Sequence, residues 1–392
     1  MNRATRLDRP EQWPVGVDGF NQPRRAAFWI YLFLVAIGVV ATVSGFFDDY
    51  RLVPTAVFVG IVVWVLYGLV FLAFFRSLDL FEQHPPLGFV MAFAWGAFAA
   101  TYLAISANRS LLSIISKLGE TGFADEWGAA LVGPTIEETL KLCGVLLLVL
   151  IARSQFRTIV SVVVVGALVG LGFQLLEDLS YSVKAAVQFP TNDQIAPVIQ
   201  IFFVRGILSG LWSHALYTSI AAFGIGYFIT RTYRPFAARL AVAVASFALA
   251  WFVHFFWNSP WLTDLFGDNP LGALAQIVIR GIPILIIGSA IWWLAGRDES
   301  THLRVLADHY VSDALISDDE RKGLTSLRYR RQLRKRHRKA HGRKQARTYR
   351  ALQRRQLRLV MLFGQYGHGK QTEEAETAVR AQRAKLPVST AA

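Results

Sequence analysis

The sequence predicts an all-α fold: a polytopic membrane bundle of about eight transmembrane helices, followed by a basic cytoplasmic tail. Three observations carry that expectation. The 392 residues are 54% hydrophobic and only 17% charged, against about 25% charged in soluble domains. Mean hydropathy is +0.37. The net charge of +14 is also unevenly placed: Arg297–Ala392 holds 23 Lys and Arg against 10 Asp and Glu, leaving the first 296 residues nearly neutral. A purely soluble enzyme is disfavoured. The lone Cys143 excludes an internal disulfide and any paired-cysteine redox or zinc motif.

About 20 apolar residues cross a bilayer as a helix. Eight such runs follow one another: Ala27–Phe47, Pro54–Phe75, Pro86–Ser106, Leu131–Ala152, Thr158–Tyr181, Gly206–Thr230, Pro235–Asn258 and Leu271–Gly296. The first starts too late and runs too long for a cleavable signal peptide. Arginine is concentrated before the first run and in alternate loops (Arg76, Arg153, Arg157, Arg231, Arg234). The positive-inside rule then puts those loops and both termini in the cytoplasm of a multi-pass cell-membrane protein. Leu111, Ile114, Ile115 and Leu118 repeat at helical spacing and predict a short helix on the outer interface, either a packing lid or a gate. Ile195–Val204 is read as a surface segment or an extension of the sixth run. Gly166, Gly170, Gly172, Gly206, Gly210, Gly224 and Gly226 suit close helix packing rather than phosphate binding, since no strand precedes them.

Ionisable groups at membrane depth are costly and need a reason. Glu137, Glu138 and Lys141 lie in the fourth run, Glu177 and Asp178 in the fifth, and His214 in the sixth. His254 and Asn258 lie in the seventh. On the predicted topology all four helices present these groups in the outer half of the bilayer, which favours one convergent site over scattered helix–helix contacts. Residues four apart share a face, as do Glu137 with Lys141, Phe173 with Glu177, His214 with Thr218, and His254 with Asn258. Gly133-Pro134 suggests that regular helix begins there, with its positive end near the carboxylates.

A carboxylate in a poorly solvated site suits general base chemistry, and two histidines suit stabilisation of a developing oxyanion. Such a set can activate water for hydrolysis without a covalent nucleophile. No Gly-x-Ser-x-Gly or His-Glu-x-x-His motif is present. A zinc ion held by Glu177, His214 and His254 is the alternative. The metal-free form is preferred, because the ligands come from separate helices and two adjacent Glu beside Lys141 suit a proton. Two rivals use the same residues: a proton-coupled transporter and a non-catalytic membrane scaffold.

Four motifs then occur in order: Glu137-Glu138-Thr139-Leu140-Lys141, Phe173-Gln174-Leu175-Leu176-Glu177, the lone His214, and His254-Phe255-Phe256-Trp257-Asn258. Together they resemble the PrsW-type glutamic intramembrane proteases, within the superfamily that includes the type II CAAX prenyl proteases. The resemblance covers roughly residues 27–296. It implies a hydrolase that cuts a membrane-anchored, single-span protein near the extracytoplasmic face, an anti-sigma factor being the kind of substrate associated with the family. On that reading Glu137 is the base, shared with Glu138, and Glu177 positions or polarises the water. His214 and His254 stabilise the oxyanion or protonate the leaving amine. Lys141, Asn258, Phe173 and Asp178 support them, Asp178 standing where the family pattern suggests Asn.

The chain divides as 1–26, a cytoplasmic segment; 27–296, the membrane core; and 297–392, the tail. Leu324–Arg358 carries 15 Lys and Arg and no acid, a block suited to anionic lipid headgroups beside a membrane. Nucleic acid is not expected, since no nucleic-acid fold accompanies the block. Its leucines allow helix, whereas Thr372–Ala392 is read as mostly disordered.

Overall fold

The computed structural model describes residues 18–78, 85–120, 122–188, 193–265 and 269–387. Among them every regular element is helical. The order is α1 (Ala26–Leu52), α2 (Pro54–Leu78), α3 (Pro86–Ala94), a π-helical turn (Trp95–Ala100), α4 (Thr101–Leu118), α5 (Phe123–Ile151) and α6 (Ile159–Gln188). Then follow α7 (Ile195–Ile201), a second π-helical stretch (Phe202–Leu208), α8 (His214–Thr230), α9 (Phe236–Asn258) and α10 (Pro270–Tyr310). The last are α11 (Asp318–Thr325), α12 (Leu327–Tyr366) and α13 (Lys370–Arg383).

Six described helices are long and apolar enough to cross a membrane, and a bent pair on either side of Ser209 adds a seventh. The bundle of membrane helices is therefore as expected, but the count of eight is not reached on length and apolarity alone. The eighth expected span is α5, which carries Glu137, Glu138 and Lys141 within its apolar stretch.

Four boundaries differ from the sequence expectation. Residues 86–118 form one continuous span rather than a span followed by an interfacial helix, because nothing between Ser106 and Leu118 breaks the helix. α5 begins at Phe123, with Pro134 inside it. Glu137 and Glu138 are thus mid-helix rather than in the first turn of α5. The sixth span is broken: Ile195–Leu208 and Gly210–Thr230 meet at 56°, which puts His214 on the first turn of α8 rather than eight residues into a straight helix. Finally, α10 continues to Tyr310.

The chain forms two compact units. One holds Gly19–Thr230 and Arg234–Leu294, and the other holds Arg231–Tyr233 with the chain from Ala295 onward. In the first, α6 is the central helix, buried along nearly its whole apolar length. Glycines make that possible. A Cβ on Gly170 would lie 2.3 Å from the His214 carbonyl oxygen and 2.7 Å from Ala215 Cα, and one on Gly172 would lie 2.1 Å from the Phe93 carbonyl oxygen. These neighbours are backbone and cannot swing aside. Gly170→Ala should therefore push α8 and His214 off α6, costing about 1–3 kcal/mol as core overpacking does. A lower melting temperature in detergent, with reduced activity, is the expected result.

The second unit has its own core. Tyr310 stacks on Phe363 at 5.2 Å, and buried Glu320 accepts hydrogen bonds from Gln356 (2.9 Å) and Arg383 (2.5 Å). A Ser317–Glu320 capping box starts α11. α12 reverses at Gly342, whose φ of 79° suits glycine. Its two arms then meet, His337 stacking on Tyr349 at 4.7 Å. The expected disorder of Thr372–Ala392 is overturned over residues 372–383, which form α13 on a buried Val379; residues 388–392 lie outside the described set.

Candidate active site

α5 presents Glu137, Glu138 and Lys141 to the bundle interior, and all three are buried. α6 contributes Phe173, Glu177 and Asp178. The break before α8 aims His214 at them, and α9 brings His254. Five of these side chains, Glu138, Lys141, Glu177, His214 and His254, form one hydrogen-bonded chain. Lys141 Nζ donates to Glu138 Oε1 (2.6 Å) and meets His214 Nδ1 (2.8 Å). His214 Nε2 meets Glu177 Oε2 (3.0 Å), and His254 Nδ1 meets Glu138 Oε1 (2.9 Å). An ammonium can only donate, so His214 Nδ1 accepts from Lys141, and its Nε2–H donates to Glu177. Thr218 donates to Glu138 Oε2 at 3.3 Å. Phe173 backs the cluster, its ring centre 4.4 Å from Lys141 Nζ and 5.0 Å from the His214 ring.

Three residues close around a point. Glu137 Oε2 lies 3.8 Å from His214 Nδ1, 3.9 Å from His254 Nε2 and 3.9 Å from Lys141 Nζ. It is buried and has no hydrogen-bond partner, while Oε1 accepts from Asn108 Nδ2 at 3.1 Å. Glu137, His214 and His254 each offer a donor atom within 4.8 Å of the others. Two His and one carboxylate are a common donor set for catalytic zinc, with a position left for water. The bare Glu137 Oε2 and the facing His254 Nε2 fit that use, whereas His214 Nδ1 would have to exchange its hydrogen bond from Lys141 for the metal. Each donor also has a holder: Asn108 for Glu137, Glu177 for His214, and Glu138 for His254. Such outer partners fix ligand orientation.

A cavity of about 670 Å³ reaches this point, and Glu137, Glu177, His214 and His254 are on its wall. Glu138 is not among its lining residues; both its oxygens are engaged. Asp178 does not join the centre. It pairs with the Arg205 Nε–H, while Arg205 also donates to Glu177 Oε2 at 2.6 Å and lies over the Tyr181 ring. Asn258 lies at the cavity wall and donates to the Ala129 carbonyl at 3.3 Å. The metal set expected from sequence, Glu177 with the two histidines, differs from the one the geometry assembles. Glu177 Oε2 is already taken by Arg205 and His214, and Glu137 stands in its place.

Sequence reasoning missed Asn108, Arg205 and Tyr217, and placed Thr218 on the His214 face without giving it a role. Arg205 had a signal: it is the lone ionisable residue of the apolar segment Ile195–Leu208. Thr218 and Tyr217 follow His214 by four and three residues and share its face. Asn108 had none, because its approach to Glu137 depends on how α4 crosses α5.

Comparison with known proteins bears on what this centre is for. No curated protein and no solved structure gives a significant match. A family model described as PrsW family intramembrane metalloprotease matches residues 84–286, just over half the chain. That stretch contains the π-helical turn, α4 and every helix that supplies the centre. The description as metalloproteases, with the Glu/His/His group, favours a metal over the metal-free preference drawn from sequence. A bundle of membrane helices whose buried carboxylate and histidines lie on a cavity is what an intramembrane hydrolase requires, and the chain belongs to the PrsW family of intramembrane metalloproteases.

Proposed function

We propose that the protein hydrolyses a peptide bond of a single-span membrane protein near the extracytoplasmic face, with Glu137, His214 and His254 as the hydrolytic centre. The observation that carries this is Glu137 Oε2: a buried acceptor without a partner, facing two imidazoles on a cavity wall. Glu137 takes a proton from water. The water oxygen bonds to the substrate carbonyl carbon, and the carbonyl electron pair moves to its oxygen. As that pair returns, the C–N bond breaks, and the amine leaves with the proton. Glu177 and Glu138 orient the two imidazoles; Lys141, Arg205 and Asn108 hold the carboxylates; Phe173 and Asn258 pack and tether the helices. A divalent metal, zinc by donor type, would be held by Glu137, His214 and His254; it would supply Lewis acidity and a readily ionised water, and Glu137 would then serve as a ligand in place of the base.

The test is membrane proteomics comparing wild type with Glu137→Gln. A single-span protein should accumulate uncut in the variant, and an unchanged membrane proteome would overturn the reading. The family resemblance makes an anti-sigma factor the first substrate to examine. For the metal, purified protein should carry one equivalent of zinc, lose activity to a chelator and regain it on metal addition. Activity that survives complete metal removal would restore the metal-free form.

The proposed setting is the cell membrane, with eight spans including α5, both termini cytoplasmic, and the division 1–26, 27–296 and 297–392. The basic block then lies beside an anionic leaflet. Arg338, Lys339, Arg343, Lys344 and Arg347 are exposed around the Gly342 reversal. Each Lys or Arg near such a surface contributes about 1 kcal/mol, screened by salt. The Leu324–Arg358 peptide should bind anionic vesicles and release at high salt. Equal binding to neutral vesicles would count against it.

A further inference from the structure

A protease working inside a membrane faces a problem set by its substrate's backbone. Each peptide unit offers one N–H donor and one C=O acceptor, and in a helix both are paired internally. Exposing a scissile bond unwinds the helix locally, where no bulk water is at hand to satisfy the freed groups. The enzyme has to supply the partners.

Four polar atoms of residues on the cavity wall are buried and unpartnered among the described residues: Asn108 Oδ1, Glu137 Oε2, Asp178 Oδ2 and the Tyr217 hydroxyl. Three are acceptors, and only Tyr217 brings a hydrogen to donate. The histidines are poorly placed to serve a substrate carbonyl. Both His214 nitrogens are engaged, His254 Nδ1 is engaged, and His254 Nε2 faces Glu137. Tyr217 adjoins both, its ring stacked on His254 at 4.9 Å and edge-on to His214 at 5.7 Å. It is 1% exposed, so its rotation is restricted.

Asn108 reaches the cavity through a backbone irregularity. The π-helical turn at Trp95–Ala100 is pinned by Trp95 Nε1 donating to the Leu140 carbonyl (2.9 Å) and by Thr101 Oγ1 donating to the Gly96 carbonyl (2.9 Å). Such a turn holds an extra residue, and π-helical turns are frequent at functional sites. Relative to a regular helix it rotates everything beyond it by about 100°. Downstream, Thr101, Ala104, Asn108 and Leu112 then form one face, and all four line the cavity.

We infer that Tyr217 and Asn108 clamp one unwound stretch of substrate backbone: the Tyr217 O–H donates to the scissile carbonyl as it becomes an oxyanion, and Asn108 Oδ1 accepts a neighbouring backbone N–H. This rests on Glu137, His214 and His254 being the hydrolytic centre. It makes Tyr217 a catalytic residue. It gives Asn108 two tasks, since the same carboxamide holds Glu137 through Nδ2.

The probe is a leucine-rich phosphonamidate peptide, whose tetrahedral oxygens mimic the hydrated carbonyl. It is titrated calorimetrically into the purified full chain in detergent, beside the matching peptide amide. Removing one oxyanion donor typically costs about 10²–10³-fold. Tyr217→Phe, which keeps the ring on His254, should weaken the phosphonamidate by about that factor, at unchanged metal content and melting temperature. The amide's affinity should change far less. Asn108→Leu should abolish the penalty that wild type shows when the peptide's N–H is methylated. Unchanged phosphonamidate affinity in Tyr217→Phe, equal weakening of both peptides, or no binding to wild type overturns the clamp. If Glu137→Gln still processes membrane proteins while Tyr217→Phe loses the phosphonamidate, the proposed centre fails and takes the catalytic role of Tyr217 with it, leaving only a binding contact. A silent Tyr217→Phe beside an inactive Glu137→Gln removes the clamp alone.

Discussion

Glu137→Gln is expected to lower cleavage by about 10²–10⁴-fold, the range a positioned general base supplies, while the protein still inserts and folds. The substitution is nearly isosteric. The amide oxygen can keep the hydrogen bond from Asn108, and an NH₂ replaces the bare Oε2. Only the acceptor facing the two imidazoles is lost. Glu138→Gln should behave differently although the two residues are adjacent. Glu138 has both oxygens engaged and does not line the cavity, so its loss acts through stability and through the orientation of His254. Single-turnover cleavage of the substrate found by proteomics, set beside melting curves, separates the two. A fully active, normally folded Glu137→Gln would overturn the centre.

This contrast marks where sequence reading ends. Spacing alone does not decide between Glu137 and Glu138, two carboxylates on one apolar helix four and three residues before Lys141, and it was the motif resemblance that named Glu137 the base. Adjacent helical residues point about 100° apart, so only one can face a given cavity, and which one depends on how α5 rotates against α6 and α9. The convergence itself was legible, because each ionisable group in an apolar run demands partners and the runs could be counted. The break before α8 was only half legible. Gly206 and Gly210 permit close approach, but the 56° bend that lets His214 begin a helix follows from tertiary packing. In the tail only the disorder expected from Thr372 onward fails, for a related reason. Residues 372–383 form α13 with Val379 and Gln382 buried and Gln382 donating to the Thr348 carbonyl, a contact 34 residues away that local composition does not reveal.

Lys141→Met is expected to cost the fold more than any other single change at the site. Lys141 and Glu138 are both fully buried and 2.6 Å apart, and among the described residues the ammonium is the one Lys or Arg cation paired with Glu138. Its removal leaves that carboxylate with His254 and Thr218 alone, beside Glu137 at the next position. Breaking a buried pair from one side typically costs about 3–5 kcal/mol, because the remaining charge is uncompensated, whereas replacing both partners is often neutral. The double variant Lys141→Met/Glu138→Gln should therefore recover most of the stability lost in Lys141→Met, read as the midpoint of denaturation in detergent. It should not recover activity to the same degree. The glutamine oxygen can still accept from His254 Nδ1, but His214 Nδ1 has lost its Lys141 partner, and the Nε2–H bond to Glu177 is left to hold that ring alone. Stability restored without activity would mark Lys141 as a group that also sets the hydrogen bonding of the histidines. If the double variant is as unstable as Lys141→Met, the buried charge on Glu138 is not what Lys141 offsets.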